Sequence, residues 1–256
     1  MKSIVALLVL VFCSPHVFSQ MTPEFERCIT VKRAVFVDLN DRAFIEKIRP
    51  KPPAMDEAST QAELKVLHEI ENVRTPNRAR QAAVDANDMS MFLFRTIFGE
   101  QFNKGLLPKT AGLSDDLCGD SNLMSAALKN SYPTPRRRPF LEDKSLKLAC
   151  DPTPIYYQPS FPSGHSFVGT LQALALIAMV PEREQEIRKR VEQYTENRLV
   201  CGVHFPSDVA AGREAAEKAF QEMLNNPTFN ARLAVACNET RFLLGLPQEN
   251  CKRLTK

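Results

Sequence analysis

Residues 167–180 form a largely apolar run broken by Gln172 and closed by Pro181. The run is shorter than the ~20 residues a membrane-spanning helix needs. A helix built from it would be apolar on every side, so it has to lie inside a shell of other helices. The flanking segments supply that shell. A Thr60/Glu63 capping-box pattern, followed by Leu64, Leu67 and Ile70 at helical spacing, predicts a helix to about Val73. Val84, Met91, Arg95 and Phe98 predict a second helix over residues 79–98, with Gly99 as its stop.

Residues 107–119 read as loop and 121–129 as helix, and the prolines of 133–139 exclude a continuous helix there. After a loop over 150–162 come the apolar helix and an amphipathic helix over 182–197 carrying Ile187, Val191 and Tyr194. Another over 207–224 turns Val209, Ala216, Phe220 and Met223 inward, and one or two more fall within 228–246. No strand alternation and no solenoid-length repeat is present. The expected fold is all-α, a single-domain helical bundle.

The N-terminus, with Lys2, an apolar run over residues 4–12 and Val17-Phe18-Ser19, reads as a secretory signal over residues 1–19. An extended arm over 20–58, marked by Pro50, Pro52 and Pro53, then leads into a domain over 59–256. Losing the signal removes Cys13 and leaves six of the seven cysteines, scattered without the paired spacing of a zinc site. An even set of this kind suits disulfides and a periplasmic or secreted location. The 33 basic and 30 acidic residues are spread along the chain. That argues against nucleic-acid binding and permits small anionic substrates. No membrane span, metal or cofactor is expected, and a homo-oligomer is left open.

Three features bear on chemistry. His165 ends Pro162-Ser163-Gly164-His165 just before the apolar helix, where backbone N–H groups at a helix start can receive an anion and Gly164 lets it come close. His204 precedes Pro206-Ser207-Asp208, so Asp208 should open a helix with its carboxylate near the imidazole. A carboxylate on one ring nitrogen leaves the other as base or nucleophile. Arg136-Arg137-Arg138, with Lys129 upstream, could supply the fixed cations that a phosphate needs. Each pattern is common when met alone.

Taken in order, Lys129 with Arg138-Pro139, then Pro162-Ser163-Gly164-His165, then Arg198 with His204 and Asp208 resemble the three-part signature of the type 2 phosphatidic acid phosphatase superfamily. The soluble bacterial class A non-specific acid phosphatases are the branch most similar. The likeness runs from about Pro52 to Leu233 and takes in Arg74-Thr75-Pro76, Phe161, Gly202, Pro206-Ser207 and Gly212-Arg213.

That resemblance implies that His204 attacks phosphorus, that Asp208 orients it, and that His165 protonates the leaving oxygen and later assists water. It further implies that Lys129, Arg138 and Arg198, with the backbone of Ser163 and Gly164, hold the phosphate, and that Cys150 pairs with Cys201. Vanadium-dependent haloperoxidases share these oxyanion ligands and are the alternative within the superfamily; a non-catalytic phosphate-binding envelope protein is the alternative outside catalysis. Two departures stand out. Asn197 replaces a frequent serine, and the eight residues between Lys129 and Arg138 exceed the usual spacing, which would fall on Ser131. Either a bulge through Pro133-Thr134-Pro135 keeps Lys129 in place, the favoured reading, or Arg136 or Arg137 takes its role.

Overall fold

The computed structural model describes Cys28, residues 30–249 and Cys251, so the signal segment lies outside the described residues. Among the described residues there are ten α-helices and no strand. They are α1 (Arg42–Ile48), α2 (Glu57–Val73), α3 (Pro76–Asp85), α4 (Arg95–Phe98), α5 (Pro108–Asn130), α6 (Pro139–Glu142), α7 (Gly164–Met179), α8 (Glu184–Val200), α9 (Pro206–Met223) and α10 (Pro227–Leu243).

The apolar helix α7 is the axis of the bundle, packed against α5, α8, α9 and α10. Phe167, Leu171, Leu176 and Met179 on it are fully buried. Truncating any of these leucines to alanine would cost about 2–5 kcal/mol, because a neighbourhood packed on all sides cannot collapse into the void. Helices α7 and α9 approach closely at Gly212, where a Cβ would come within 2.5 Å of the Ser163 carbonyl oxygen. Any side chain there would push apart the two helix starts that carry His165 and His204.

Several boundaries differ from those read in the sequence. Helix α2 starts before Thr60, because Asp56 caps it through the Ser59 N–H at 2.9 Å. The predicted helix over 79–98 is broken: α3 ends at Asp85, Asp88 turns the chain by accepting from the Ser90 N–H at 2.9 Å, and a 3₁₀ turn over Met91–Phe94 leads into α4. Val84, expected on the buried face, is exposed.

The stretch 107–119 is not loop but the first half of α5, which starts at Pro108 and runs unbroken to Asn130. Its small and acidic residues mimic a loop composition, yet Ser114, Gly119, Asp120 and Ser121 are buried. Asp120 accepts the N–H groups of Val35 and Phe36 at 2.7 and 2.8 Å, fixing the N-terminal arm to the bundle. The arm contains its own short helix, α1, packed against α9.

Among the described residues three disulfides brace this frame: Cys28–Cys118, Cys150–Cys201 and Cys237–Cys251. The second is the pairing expected from the resemblance. It closes a span of 51 residues, worth about 4 kcal/mol in the loop-closure picture, and ties the loop before α7 to the end of α8. No helix among the described residues is long and apolar enough to cross a membrane.

Candidate active site

His204 is held between α8 and α9 by its local sequence. Gly202 adopts a φ of 75°, which turns the chain out of α8, and Pro206 starts α9. The ring is buried, and its two nitrogens meet opposite partners. Nδ1 is 3.4 Å from Asp208 Oδ2, and Nε2 is 2.8 Å from Nη1 of Arg138. A guanidinium can only donate, so Nε2 accepts and the ring proton sits on Nδ1, facing the carboxylate. Burial, then the Arg138 charge, push the His204 pKa well below its ordinary value. The imidazole is therefore neutral, with a lone pair on Nε2.

Asp208 is wholly buried and fully engaged. Oδ1 pairs with Arg136 at 2.9 Å; Oδ2 accepts from Ser160 Oγ at 2.5 Å and from the Phe205 N–H at 2.8 Å. Burial alone would raise its pKa, but His204, Arg136 and Ser160 together hold it at about 2. The carboxylate is therefore ionised at any pH well above 2, as a group that orients an imidazole must be.

His165 occupies the first turn of α7, and its Nε2 is 3.0 Å from the carbonyl oxygen of Ala86 at the end of α3. A carbonyl only accepts, so Nε2 carries a proton and Nδ1 is the nitrogen that titrates. Burial first, then Arg198, Arg138 and Lys129, depress its pKa to about 3. The same end of α3 also holds Arg198, whose Nη2 donates to Ala82 O at 3.3 Å while its buried Nε has no protein partner. Asn197, the departure noted above, bonds Asp85 at 2.6 Å, and Asp85 is paired in turn with Arg190 at 2.8 Å. This network locks α3 to α8.

A cavity of about 400 Å³ opens over these groups, with Lys129, Arg138, Gly164, His165 and His204 in its wall. Arg198 lies on an adjoining cavity of about 100 Å³ that shares His165. Lys129 reaches inward despite its unusual spacing and donates to the carbonyl oxygens of Pro159 and Pro162 at 2.6 and 2.7 Å. Burial, then Arg138, lower its pKa strongly, with Asp208 opposing. Arg136 faces Asp208 and Glu63, while Arg137 is exposed and pairs with Glu142. Of the expected backbone donors, Ser163 is a correction: its N–H is engaged by the Asp208 carbonyl at 3.0 Å and joins α7 to α9. Gly164 is the residue of that pair that borders the cavity.

Residues 118–216, which contain Lys129, Arg138, His165, Arg198, His204 and Asp208, match the family model described as the PAP2 superfamily. A non-specific acid phosphatase of Salmonella typhimurium is 31% identical over 190 residues, 72% of this chain and 75% of the relative. The chain belongs to the PAP2 superfamily. A non-specific acid phosphatase of Providencia stuartii is 28% identical over 235 residues, 89% of this chain and 93% of the relative. An acid phosphatase of Zymomonas mobilis is 30% identical over 128 residues, 46% and 48% of the two chains.

Three residues that support this PAP2 site escaped the sequence reading: Ser160, Arg136 as the counterion of Asp208, and Ala86 through its carbonyl. Arg136 belongs to the basic run 136–138, whose charge is visible in the sequence but whose partner is not. Ser160 and Ala86 carry no local signal, since one acts across 48 residues and the other across 79.

Proposed function

We propose that this protein is an acid phosphatase, a phosphoric monoester hydrolase that works through a phosphohistidine on His204 and accepts a broad range of small phosphorylated substrates. One observation carries the reading: the nucleophilic nitrogen of His204 faces a cationic cavity while its other nitrogen faces an ionised, buried Asp208.

Nε2 attacks phosphorus in line with the ester oxygen. The P–O bond breaks, and the departing oxygen takes from Nδ1 of His165 the proton that the bound substrate monoanion has passed to it. Asp208 stabilises the positive ring that results. Lys129, Arg138, Arg198 and the Gly164 N–H neutralise the phosphoryl oxygens, which is most of what phosphoryl transfer asks of a protein. Lys129 also lies 3.4 Å from Ser160 O, the longest of its three carbonyl contacts and the easiest to exchange for a phosphoryl oxygen. Water then attacks the phosphohistidine and gives its proton back to His165, the N–P bond breaks, and phosphate leaves.

A signal peptide over residues 1–19, an arm over 20–58 and a catalytic domain over 59–256, with export to the periplasm or beyond, complete the proposal. Three disulfides support the oxidising location. Hydrolysis of p-nitrophenyl phosphate with and without EDTA tests the reading. Activity should survive chelation and vanish in His204→Ala. Loss on chelation, restored by a divalent metal, contradicts it.

A further inference from the structure

A phosphoryl group held by Lys129 and Arg138 beside His204 would fill only one end of the main cavity. At about 400 Å³ the space is in the range that encloses a substantial organic ligand, roughly 300–1,000 Å³. The end of the cavity that carries the chemistry is made by the cations Lys129 and Arg138 with the two imidazoles, His165 and His204. The rest of its wall includes a separate apolar cluster of four residues: Met89 from the turn after α3, Val168 from α7, and the Cys28–Cys118 disulfide that bridges the arm to α5. Val168 lies one helical turn beyond His165, on the same side of α7. An ester oxygen that takes its proton from His165 therefore carries its organic body toward this cluster.

We propose that Met89, Val168 and the Cys28–Cys118 disulfide form a leaving-group subsite that selects phosphate monoesters with an apolar body over small polar ones. The inference rests on the phosphatase reading above and deepens it. The four side chains present carbon and sulfur to the cavity, so each methylene that enters sheds water without losing a hydrogen bond. The disulfide places part of this wall on the N-terminal arm, outside the three signature segments.

A series of primary alkyl phosphates from ethyl to hexyl tests it, because the departing alkoxides differ little in basicity and only the apolar contact grows. For the intact protein, kcat/KM should rise up to about fourfold per enclosed methylene, the factor that corresponds to complete burial. Met89→Gln and Val168→Thr should flatten the series while leaving ethyl phosphate turnover unchanged. Should either variant fail to fold by circular dichroism, competitive inhibition of the unaltered protein by the matching alkylphosphonates gives the same reading, with affinity rising along the chain. A flat series with measurable turnover of ethyl phosphate overturns the subsite and leaves the phosphatase reading standing. A slope that persists in both folded variants also overturns it. No turnover of any alkyl phosphate or of p-nitrophenyl phosphate overturns the phosphatase reading itself.

Discussion

Arg136 Nη1 lies 2.9 Å from Asp208 Oδ1, so the first arginine of the 136–138 run is the counterion of the carboxylate behind His204. Its guanidinium also stacks on the Phe205 ring at 3.9 Å and bonds Ser207 Oγ at 2.6 Å. That leaves the cavity to Arg138 and Lys129. The extra residues between them are taken up by the irregular segment after α5, as the prolines suggested.

The three basic positions should accordingly separate in mutants. Lys129→Ala should lower kcat/KM tenfold or more, about 1.4 kcal/mol or above for one lost charge-assisted contact. Arg137→Ala should be nearly silent, since the side chain is exposed and pairs only at the surface. Arg136→Ala should destabilise the fold by about 3–5 kcal/mol, because it leaves Asp208 buried without its ion pair. Steady-state kinetics together with denaturant melts check all three. A silent Lys129→Ala would move its role elsewhere.

An acidic optimum follows from the proton inventory. In the free site His165 titrates near 3, held down by burial and by Arg198, so at pH 5 it is neutral. The substrate must then bring the proton, as the monoanion that exists below its second ionisation at about 6. Once the phosphate sits among the cations, its charge offsets theirs and the proton moves to His165. The profile of kcat/KM should fall below about pH 3, where His165 is already protonated and cannot take up the proton of the monoanion, and above about 6. Its upper limb should shift downward for esters with a lower second pKa. A limb that stays fixed while the substrate pKa changes would assign that ionisation to the protein instead.

Removal of the acid should depend on the leaving group. His165→Ala should slow alkyl phosphates by a hundredfold or more, the usual scale for a general acid being about 10²–10⁴, and p-nitrophenyl phosphate far less. The ratio of the two kcat/KM values measures it, because kcat/KM covers the steps up to phosphoryl transfer and leaves out the shared hydrolysis of the phosphohistidine, in which His165 also acts. Equal losses would contradict the assignment of His165.

Away from the site, His68 on α2 lies 2.9 Å from Asp143 and 3.3 Å from Glu71, which tethers the segment after α6. The hydrogen bond to Asp143 and both carboxylate charges outweigh its desolvation and raise its pKa above 6.5. Its stabilisation is therefore complete below pH 6.5 and is lost as pH rises through the raised folded value. Melting temperature against pH should show this dependence, and His68→Ala should remove it.

The site was legible in the sequence to the extent that it is local. His204 and Asp208 are four residues apart across one helix start, and Ser163, Gly164 and His165 are consecutive. The apolar period of α7 likewise announced a buried axis. Helix α5 was half hidden because burial there is achieved by glycine, serine and Asp120, whose partners Val35 and Phe36 lie about 85 residues away. The break after α3 was hidden because Val84, Met91 and Phe98 keep a helical period while Asp88 and Ser90 favour a turn by bonding to each other. Ala86 acts through its backbone, where side-chain identity carries no signal.

The covalent intermediate is the most direct test of the central claim. Rapid quenching with a phosphorus-32 monoester into alkali, which preserves phosphohistidine, followed by peptide mapping, should place the label on His204. The label should be absent in His204→Ala and should still form, more slowly, in His165→Ala. Turnover with no trapped label, or label on any other residue, would contradict the account.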